Sequence, residues 1–339
     1  MTSAFRSPSS ARFPFLRSAA LVGTAAAMLA VTGCAASPAA APSTESAAPT
    51  ASAYPLTVDN CGTEVTFEKA PEKVLTIKST TTEMLLALDL EDRIIGRAFP
   101  DGPIPEDLGG EDIPVVSDKV PGQEAVLDLE PDLVYAGWES NFSADGAGDR
   151  ATLGDLGVNT YVSPAACKEA GRPDKLAFDD VFDQIAEMGA IFDVSDTAEE
   201  LVAVQQAQLD KLPAADDVSA LWYSSGSDTP YVGAGSGAPQ MIMDAVGITN
   251  IAASVDDSWT PFNWEAVVDA NPDVIILVVS DWGTAEKKIG VLTSNPATAK
   301  LDAVVNKRFI TVPFAATEAG VRNVEAATTI AEQLEALGL

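Results

Sequence analysis

The feature that most constrains this chain is a thirteen-residue unit that occurs twice. Residues 124–136 read Glu-Ala-Val-Leu-Asp-Leu-Glu-Pro-Asp-Leu-Val-Tyr-Ala, and residues 265–277 read Glu-Ala-Val-Val-Asp-Ala-Asn-Pro-Asp-Val-Ile-Ile-Leu. Six of the thirteen positions are identical without a gap. Each copy has the pattern of a short helix, a Pro-Asp turn and a buried strand. A chain of 339 residues has room for two domains of ordinary size, and the repeat predicts two lobes of like architecture. A chance likeness between two common helix–turn–strand units is the alternative.

The rest of the chain has the same rhythm. Strands are predicted at 74–77, 132–137 and 159–163, then at 219–224, 273–280 and 309–314. Helices are predicted at 81–90, entered through Ser79 and Thr80 as N-cap residue types, and at 240–246, 264–270 and 324–337. Strand–helix alternation implies an α/β fold with mostly parallel sheets flanked by helices. Between the halves, Val181, Ile185, Met188, Ile191 and Phe192 keep helical spacing, and a second, polar-faced helix runs through Leu201, Val204 and Leu209. With no strand beside it, this helix is expected to join the lobes and to limit hinge motion. The expected layout is an N-terminal lobe at 55–193, a long linker helix at 194–213 and a C-terminal lobe at 214–339, with a ligand cleft between the lobes.

Ahead of these lobes lies a different composition. Arg6, Arg12 and Arg17 precede an apolar run at 19–31 that is short for a membrane span, the pattern of a signal peptide at 1–33. Val31-Thr32-Gly33-Cys34 resembles a bacterial lipobox, in which Cys34 is lipidated and becomes the new N-terminus; an ordinary signal with a chance cysteine is the other reading. Residues 34–54 are rich in Ala, Ser and Pro and are expected to form a disordered tether. It reaches on the order of 25 Å as a random coil. The protein is thus placed outside the cytoplasm, held to the membrane only through a lipid. In an exported chain the remaining Cys61 and Cys167 can pair, with two separate buried thiols as the alternative.

Charge and composition exclude several functions. The net charge is −30, and losing a leader with three arginines leaves −33, so nucleic acid is not an expected partner. The chain has no histidine, which removes a Ser-His-Asp triad and a histidine-ligated zinc site. Gly235-Ser236-Gly237 lacks the spacing of a nucleophile elbow. A glycosidase-type carboxylate pair is not ruled out by so acidic a chain, but a binding protein and not an enzyme is expected, with no cofactor and no metal site of its own. Exported binders of bare zinc or manganese usually use imidazole, so an organic molecule or a metal chelate is the favoured ligand.

In open α/β sheets ligands sit beyond the carboxyl ends of strands. The residues just after the predicted strands are therefore the binding candidates: Lys78, Ser79 and Thr80, then Trp138, Ser140 and Asn141, then Tyr223, Tyr231, Gly233 and Trp282, and finally Phe314 and Arg322. Aromatic faces can stack on a planar ligand or a chelate, and Lys78 and Arg322 can neutralise its acid groups. Trp138 could instead be core and Arg322 a surface cation, while Trp222 and Trp264 are expected in the core. The run 233–237 resembles a phosphate-cradling loop but matches no phosphate-binding pattern, and a plain tight turn is expected there.

These segments together resemble the helix-linked periplasmic binding proteins of ABC importers, the class for ferric siderophores, cobalamin and haem. The resemblance covers about 57–337 and rests on Glu72-Lys73-Val74-Leu75-Thr76-Ile77 leading into Thr82-Glu83-Met84-Leu85-Leu86-Ala87-Leu88, on both repeat units, on Gly233-Ala234-Gly235 and on the terminal helix. A closer likeness is to a sub-group of lipoproteins proposed to import the lactyl-phospho deazaflavin precursor of a redox coenzyme. It is carried by Thr76-Ile77-Lys78-Ser79-Thr80, Ala136-Gly137-Trp138-Glu139-Ser140-Asn141, Leu221-Trp222-Tyr223-Ser224-Ser225-Gly226 and Glu318-Ala319-Gly320-Val321-Arg322-Asn323. The resemblance implies a monomer that captures a small organic ligand, a deazaflavin or an iron chelate, and delivers it to an ABC permease and its ATPase. It also implies one permease-docking glutamate per lobe, which falls on Glu124 and Glu265; the alternative is that each acid only favours the start of its short helix. A sensor lipoprotein without transport is the second functional reading.

If Cys34 carries the anchor, Cys34→Ala releases the protein from the membrane fraction; unchanged retention in a fractionation blot would contradict the lipobox.

Overall fold

The computed structural model describes residues 54–215 and 217–339. Residues 1–33 and Cys34 lie outside the described residues, as does nearly all of the expected tether.

A hairpin of β1 (Leu56–Asn60) and β2 (Thr63–Phe67) precedes the first lobe. The lobe continues with β3 (Val74–Ile77), α1 (Ser79–Ala87), β4 (Ile94–Ala98), β5 (Val115–Ser117), α2 (Gln123–Asp128), β6 (Leu133–Ala136), α3 (Arg150–Asp155) and β7 (Asn159–Val162). Its sheet has the order β5-β4-β3-β6-β7, parallel throughout. Two helices follow, α4 (Phe178–Ile191) and α5 (Ser195–Leu209). The second lobe comprises β8 (Ser219–Ser225), β9 (Tyr231–Gly233), α6 (Ala238–Val246), β10 (Thr249–Asn250), β11 (Trp259–Pro261), α7 (Trp264–Ala270), β12 (Val274–Val279), α8 (Ala285–Ser294), α9 (Asp302–Val305), β13 (Phe309–Pro313) and α10 (Asn323–Leu337). Its sheet runs β11-β9-β8-β12-β13, with β10 beside the start of β8, and only the β8–β9 and β9–β11 pairings are antiparallel. The α/β class with mostly parallel sheets is as the alternation predicts.

The central strands β3, β6 and β12 are buried on both faces, which is why they read as largely apolar runs. Successive side chains alternate between faces. In β6, Leu133 and Tyr135 enter a core cluster common to both lobes, while Val134 and Ala136 enter the outer cluster of the first lobe. In β12, Val274 and Ile276 enter the same common cluster, while Ile275 and Leu277 enter the outer cluster of the second lobe. These are matching positions of the repeat, so the two copies have the same facing. Their Pro-Asp turns match as well. The Asp132 carboxylate accepts the backbone N–H groups of Glu72 and Lys73 at the entry to β3. The Asp273 carboxylate accepts the backbone N–H and the hydroxyl of Ser219 at the entry to β8. Each aspartate thereby ties its own strand to the neighbouring one.

The connection between the lobes packs α4 and α5 along each other. A Cβ on Gly189 would come within 2.4 Å of the Ala198 Cβ, so the two helices approach as closely as glycine allows. As its composition predicts, α5 is polar-faced and buries only Ala198 and Gln205, and Gln205 donates to the Val321 carbonyl of the second lobe at 2.8 Å. The segment ahead of α4 also reaches that lobe, where the Leu176 N–H donates to the Ser236 carbonyl at 2.8 Å and Lys175 pairs with Asp244 at 2.7 Å. Cys61 in the hairpin turn is bonded to Cys167 in this segment, with 5.3 Å between their Cα atoms.

The bond closes a loop with a sequence separation of 106 residues. In the chain-entropy view such a loop is worth up to about 4–5 kcal/mol. Cys167→Ser is therefore expected to lower the urea midpoint substantially, and alkylation of denatured, unreduced protein should detect neither Cys61 nor Cys167; two reactive thiols there would refute the pairing.

Candidate functional site

The carboxyl ends of β3, β6, β12 and β13 converge on one cavity of about 750 Å³ between the lobes. That volume suits a ligand of drug or cofactor size. At its wall lies an ion pair. Lys78 follows β3 with φ of 85°, a conformation costly for a residue with a Cβ, and its N–H donates to the Ala98 carbonyl at 3.0 Å. Gly137 permits this, because a Cβ there would come within 2.9 Å of the Lys78 Cβ. The Lys78 ammonium contacts Asp101, and both side chains are at most 1% exposed. The Asp101 carboxylate also accepts the Ser79 N–H at 3.2 Å, and the Asp101 N–H donates to the Ser79 hydroxyl at 2.8 Å. Burial raises the Asp101 carboxyl above its usual range, and the adjacent Lys78 charge opposes that shift.

Aromatic rings surround the ammonium. It lies 4.0 Å from the ring centroid of Trp138 and 4.3 Å from that of Phe99, both in the first lobe. Phe314 and Trp282 of the second lobe are at 5.0 and 5.8 Å. All four are within cation–π range. The row continues along the second lobe: Phe314 lies near-parallel to Trp259, with centroids 6.4 Å apart, and Trp259 near-parallel to Tyr231 at the same spacing. Burial, and then the charges of Asp257 and Glu318, push the Tyr231 phenol up.

Two further contacts join the lobes. The Trp138 indole N–H donates to Glu318 Oε2 at 2.8 Å. Burial raises the Glu318 carboxyl, while this hydrogen bond and the Lys78 charge lower it in part. Arg322 reaches Glu83 of α1 at 3.4 Å and Glu325 at 2.9 Å. Burial pushes Glu83 up to about 7 against the opposing charge of Arg322.

The sequence-derived candidates divide accordingly. Lys78, Thr80, Trp138, Ser140, Tyr231, Trp282 and Phe314 line the cavity. Five candidates do not. Tyr223 is 1% exposed, packs edge-on against Trp264 and donates its hydroxyl to the Gly226 carbonyl. Gly233 is buried within β9, where its carbonyl accepts from Asn250. Asn141 is buried and accepts the Trp138 backbone N–H, so it positions Trp138. Ser79 is taken up by Asp101, and Arg322 by Glu83 and Glu325. The expected N-cap role of Ser79 and Thr80 is also corrected, since Lys78 occupies that position without a side-chain cap. Trp222 and Trp264 are buried, as expected. The glycine loop is a plain turn: the N–H groups of Ala234, Gly235 and Ser236 are all taken by carbonyls of 255–258.

Sequence reasoning missed Phe99, Trp259, Lys168 and Arg172 at the wall. Phe99 follows β4, whose Gly96 and Arg97 interrupt the apolar run, so the sequence carries no clear strand signal there. Lys168 and Arg172 lie on the non-periodic segment ahead of α4, next to the disulfide. Glu124 and Glu265 are exposed in the first turns of α2 and α7, away from the cavity.

The family described as "Periplasmic binding protein" matches residues 74–316. An uncharacterized ABC transporter substrate-binding lipoprotein of Bacillus subtilis, YvrC, is 26% identical over 289 residues, covering 83% of this chain and 86% of that protein. A periplasmic binding protein from Veillonella parvula superposes with a TM-score of 0.72 at 27% identity, over 83% of this chain and 97% of its own. An ABC-type Fe3+-hydroxamate transport system structure from Saccharomonospora viridis gives 0.72 at 26% identity, over 83% and 99%.

Asp101→Asn leaves a buried ammonium without its counter-charge and is expected to cost about 3–5 kcal/mol. Adding Lys78→Met should recover most of that loss in urea unfolding; equal stability of the single variant and the parent would show that the pair is not buried as described.

Proposed function

The chain belongs to the periplasmic binding protein family, and on that premise we propose that it is the extracytoplasmic capture component of an ABC importer, with a deazaflavin coenzyme precursor as its ligand. The observation that carries this reading is the row Tyr231, Trp259, Phe314 and Trp282, facing Phe99 and Trp138 across one cavity. Such a wall suits a flat, conjugated molecule. The absence of histidine removes imidazole as an axial ligand for haem iron. A ferric hydroxamate is the second reading, supported by the Saccharomonospora viridis relative.

In this reading residues 1–33 direct export, Cys34 carries the lipid and 34–54 form the tether, so that lobes at 55–193 and 214–339, linked at 194–213, work as a monomer at the membrane surface. Glu124 and Glu265 occupy the same position of the repeat and are both exposed, which suits two-point docking to a permease driven by its ATPase. Titration of the mature protein with the lactyl-phospho deazaflavin and with a panel of ferric siderophores, followed by tryptophan fluorescence, tests the ligand. Tight binding of a siderophore without binding of the deazaflavin moves the assignment to iron uptake. Glu124→Lys or Glu265→Lys is expected to reduce uptake by cells and leave affinity intact; a matching loss of affinity would assign these residues to folding or binding instead.

A further inference from the structure

Lys78 is the obvious receptor for an acidic ligand, but the structure gives it another partner. It is 1% exposed and its charge is matched by Asp101, which has no other cation beside it among the described residues. The pair contributes no net charge to the cavity. The remaining acid at this part of the wall is Glu318. One carboxylate oxygen accepts the Trp138 indole N–H, and among the described residues no hydrogen bond reaches the other, Oε1. Beside Lys78, therefore, the cavity presents an acceptor and not a free cation. An anionic group placed there would meet a carboxyl and an ammonium whose charge Asp101 already neutralises.

Cations with spare capacity are found elsewhere on the wall. Lys168 is exposed, has no ion pair among the described residues, and only its backbone N–H is engaged, by Glu139 at 2.5 Å. Arg172 makes a 3.4 Å contact to the Ser236 hydroxyl and a loose 4.0 Å approach to Asp257. A guanidinium so weakly held can exchange these partners for a stronger bidentate anion. Both cations lie within five residues of Cys167, whose bond to Cys61 anchors their segment to the hairpin.

We propose that the cavity binds its ligand with a fixed polarity: Glu318 Oε1 accepts a hydrogen bond from a hydroxyl or ring N–H of the ligand, and Arg172 with Lys168 receives its phosphate or carboxylate. This rests on the planar-ligand reading above and names the two specificity-determining points within it. It also predicts that a ligand bearing an anion but no donor, or a donor but no anion, binds less well than one bearing both.

Three probes test it: an 8-hydroxy-5-deazaflavin riboside, its 5′-phosphate, and the riboside with its ring N–H and hydroxyl groups methylated. The parent protein should prefer the phosphate over the riboside by about tenfold or more, the usual range for a charge-assisted contact. Arg172→Ala combined with Lys168→Ala should abolish that preference by weakening the phosphate to the level of the riboside. Glu318→Met, which removes the acceptor at similar volume, should weaken the riboside and the phosphate about tenfold more than it weakens the methylated probe; Glu318→Gln, which keeps an acceptor, should recover part of the loss. Equal weakening of all three probes by Glu318→Met would show a purely structural role, and a phosphate preference that survives the double alanine variant would place the anion elsewhere; either result overturns the inference and leaves the capture reading standing. If none of the three probes binds while a ferric siderophore does, the deazaflavin reading fails and the polarity inference falls with it.

Discussion

The organisation of the cleft depends on the buried Lys78–Asp101 pair. A desolvated ammonium is costly unless it is both paired and surrounded by groups that favour positive charge. Here the carboxylate comes from the loop after β4, and the surrounding π-faces come from both lobes. Each of those rings, on turning its face to the ammonium, presents other ring surface to the cavity. The pair thus fixes the aromatic wall, and with it Trp138, whose indole N–H then reaches Glu318 across the cleft. Asn141 completes the arrangement by holding the Trp138 backbone.

The lobes are joined by more than their connecting helices. One core cluster takes side chains from α1, α4, α6 and α10 and from the inner faces of both sheets. Polar contacts join the lobes as well: Glu83 with Arg322, Trp138 with Glu318, and Gln205 of the connecting helix with the Val321 carbonyl. Apolar packing is insensitive to direction, whereas hydrogen bonds such as these fix the angle at which the lobes meet.

Charge is also distributed unevenly. The chain carries −30 overall, while at the cavity wall, with Lys78 already matched by Asp101, Lys168 and Arg172 stand against Glu139 and Glu318. Long-range steering of an anion toward so acidic a protein is unfavourable, so selectivity for an anionic ligand has to arise from contacts at short range. The segment ahead of α4 carries Lys168 and Arg172 at the wall, and its disulfide and its hydrogen bond to Ser236 restrict it at two points.

Much of the fold was legible because its signals are local. The strands of the repeat are covered on both faces, so β6 and β12 stand out as apolar runs whatever they pack against, and their Pro-Asp turns mark the entry of each. The rule that ligands lie beyond strand ends then pointed to Lys78, Trp138, Trp282 and Phe314. It failed at Tyr223, because the face opposite Trp222 is covered as well, and both residues are core. It failed for the charge logic of Lys78 and Arg322, because their partners Asp101 and Glu83 are distant in sequence from one or both and only folding brings them within reach. Phe99, Trp259, Lys168 and Arg172 come from short strands or non-periodic segments, whose positions are set by the packing of neighbours and by the Cys61–Cys167 bond. Sequence alone determined two α/β lobes and where their strand ends would meet, since periodicity is a property of each strand by itself. Which side chains face the cavity, and which charges are already spent on one another, was decided only by the tertiary structure, since pairing and burial are properties of residues brought together from different parts of the chain.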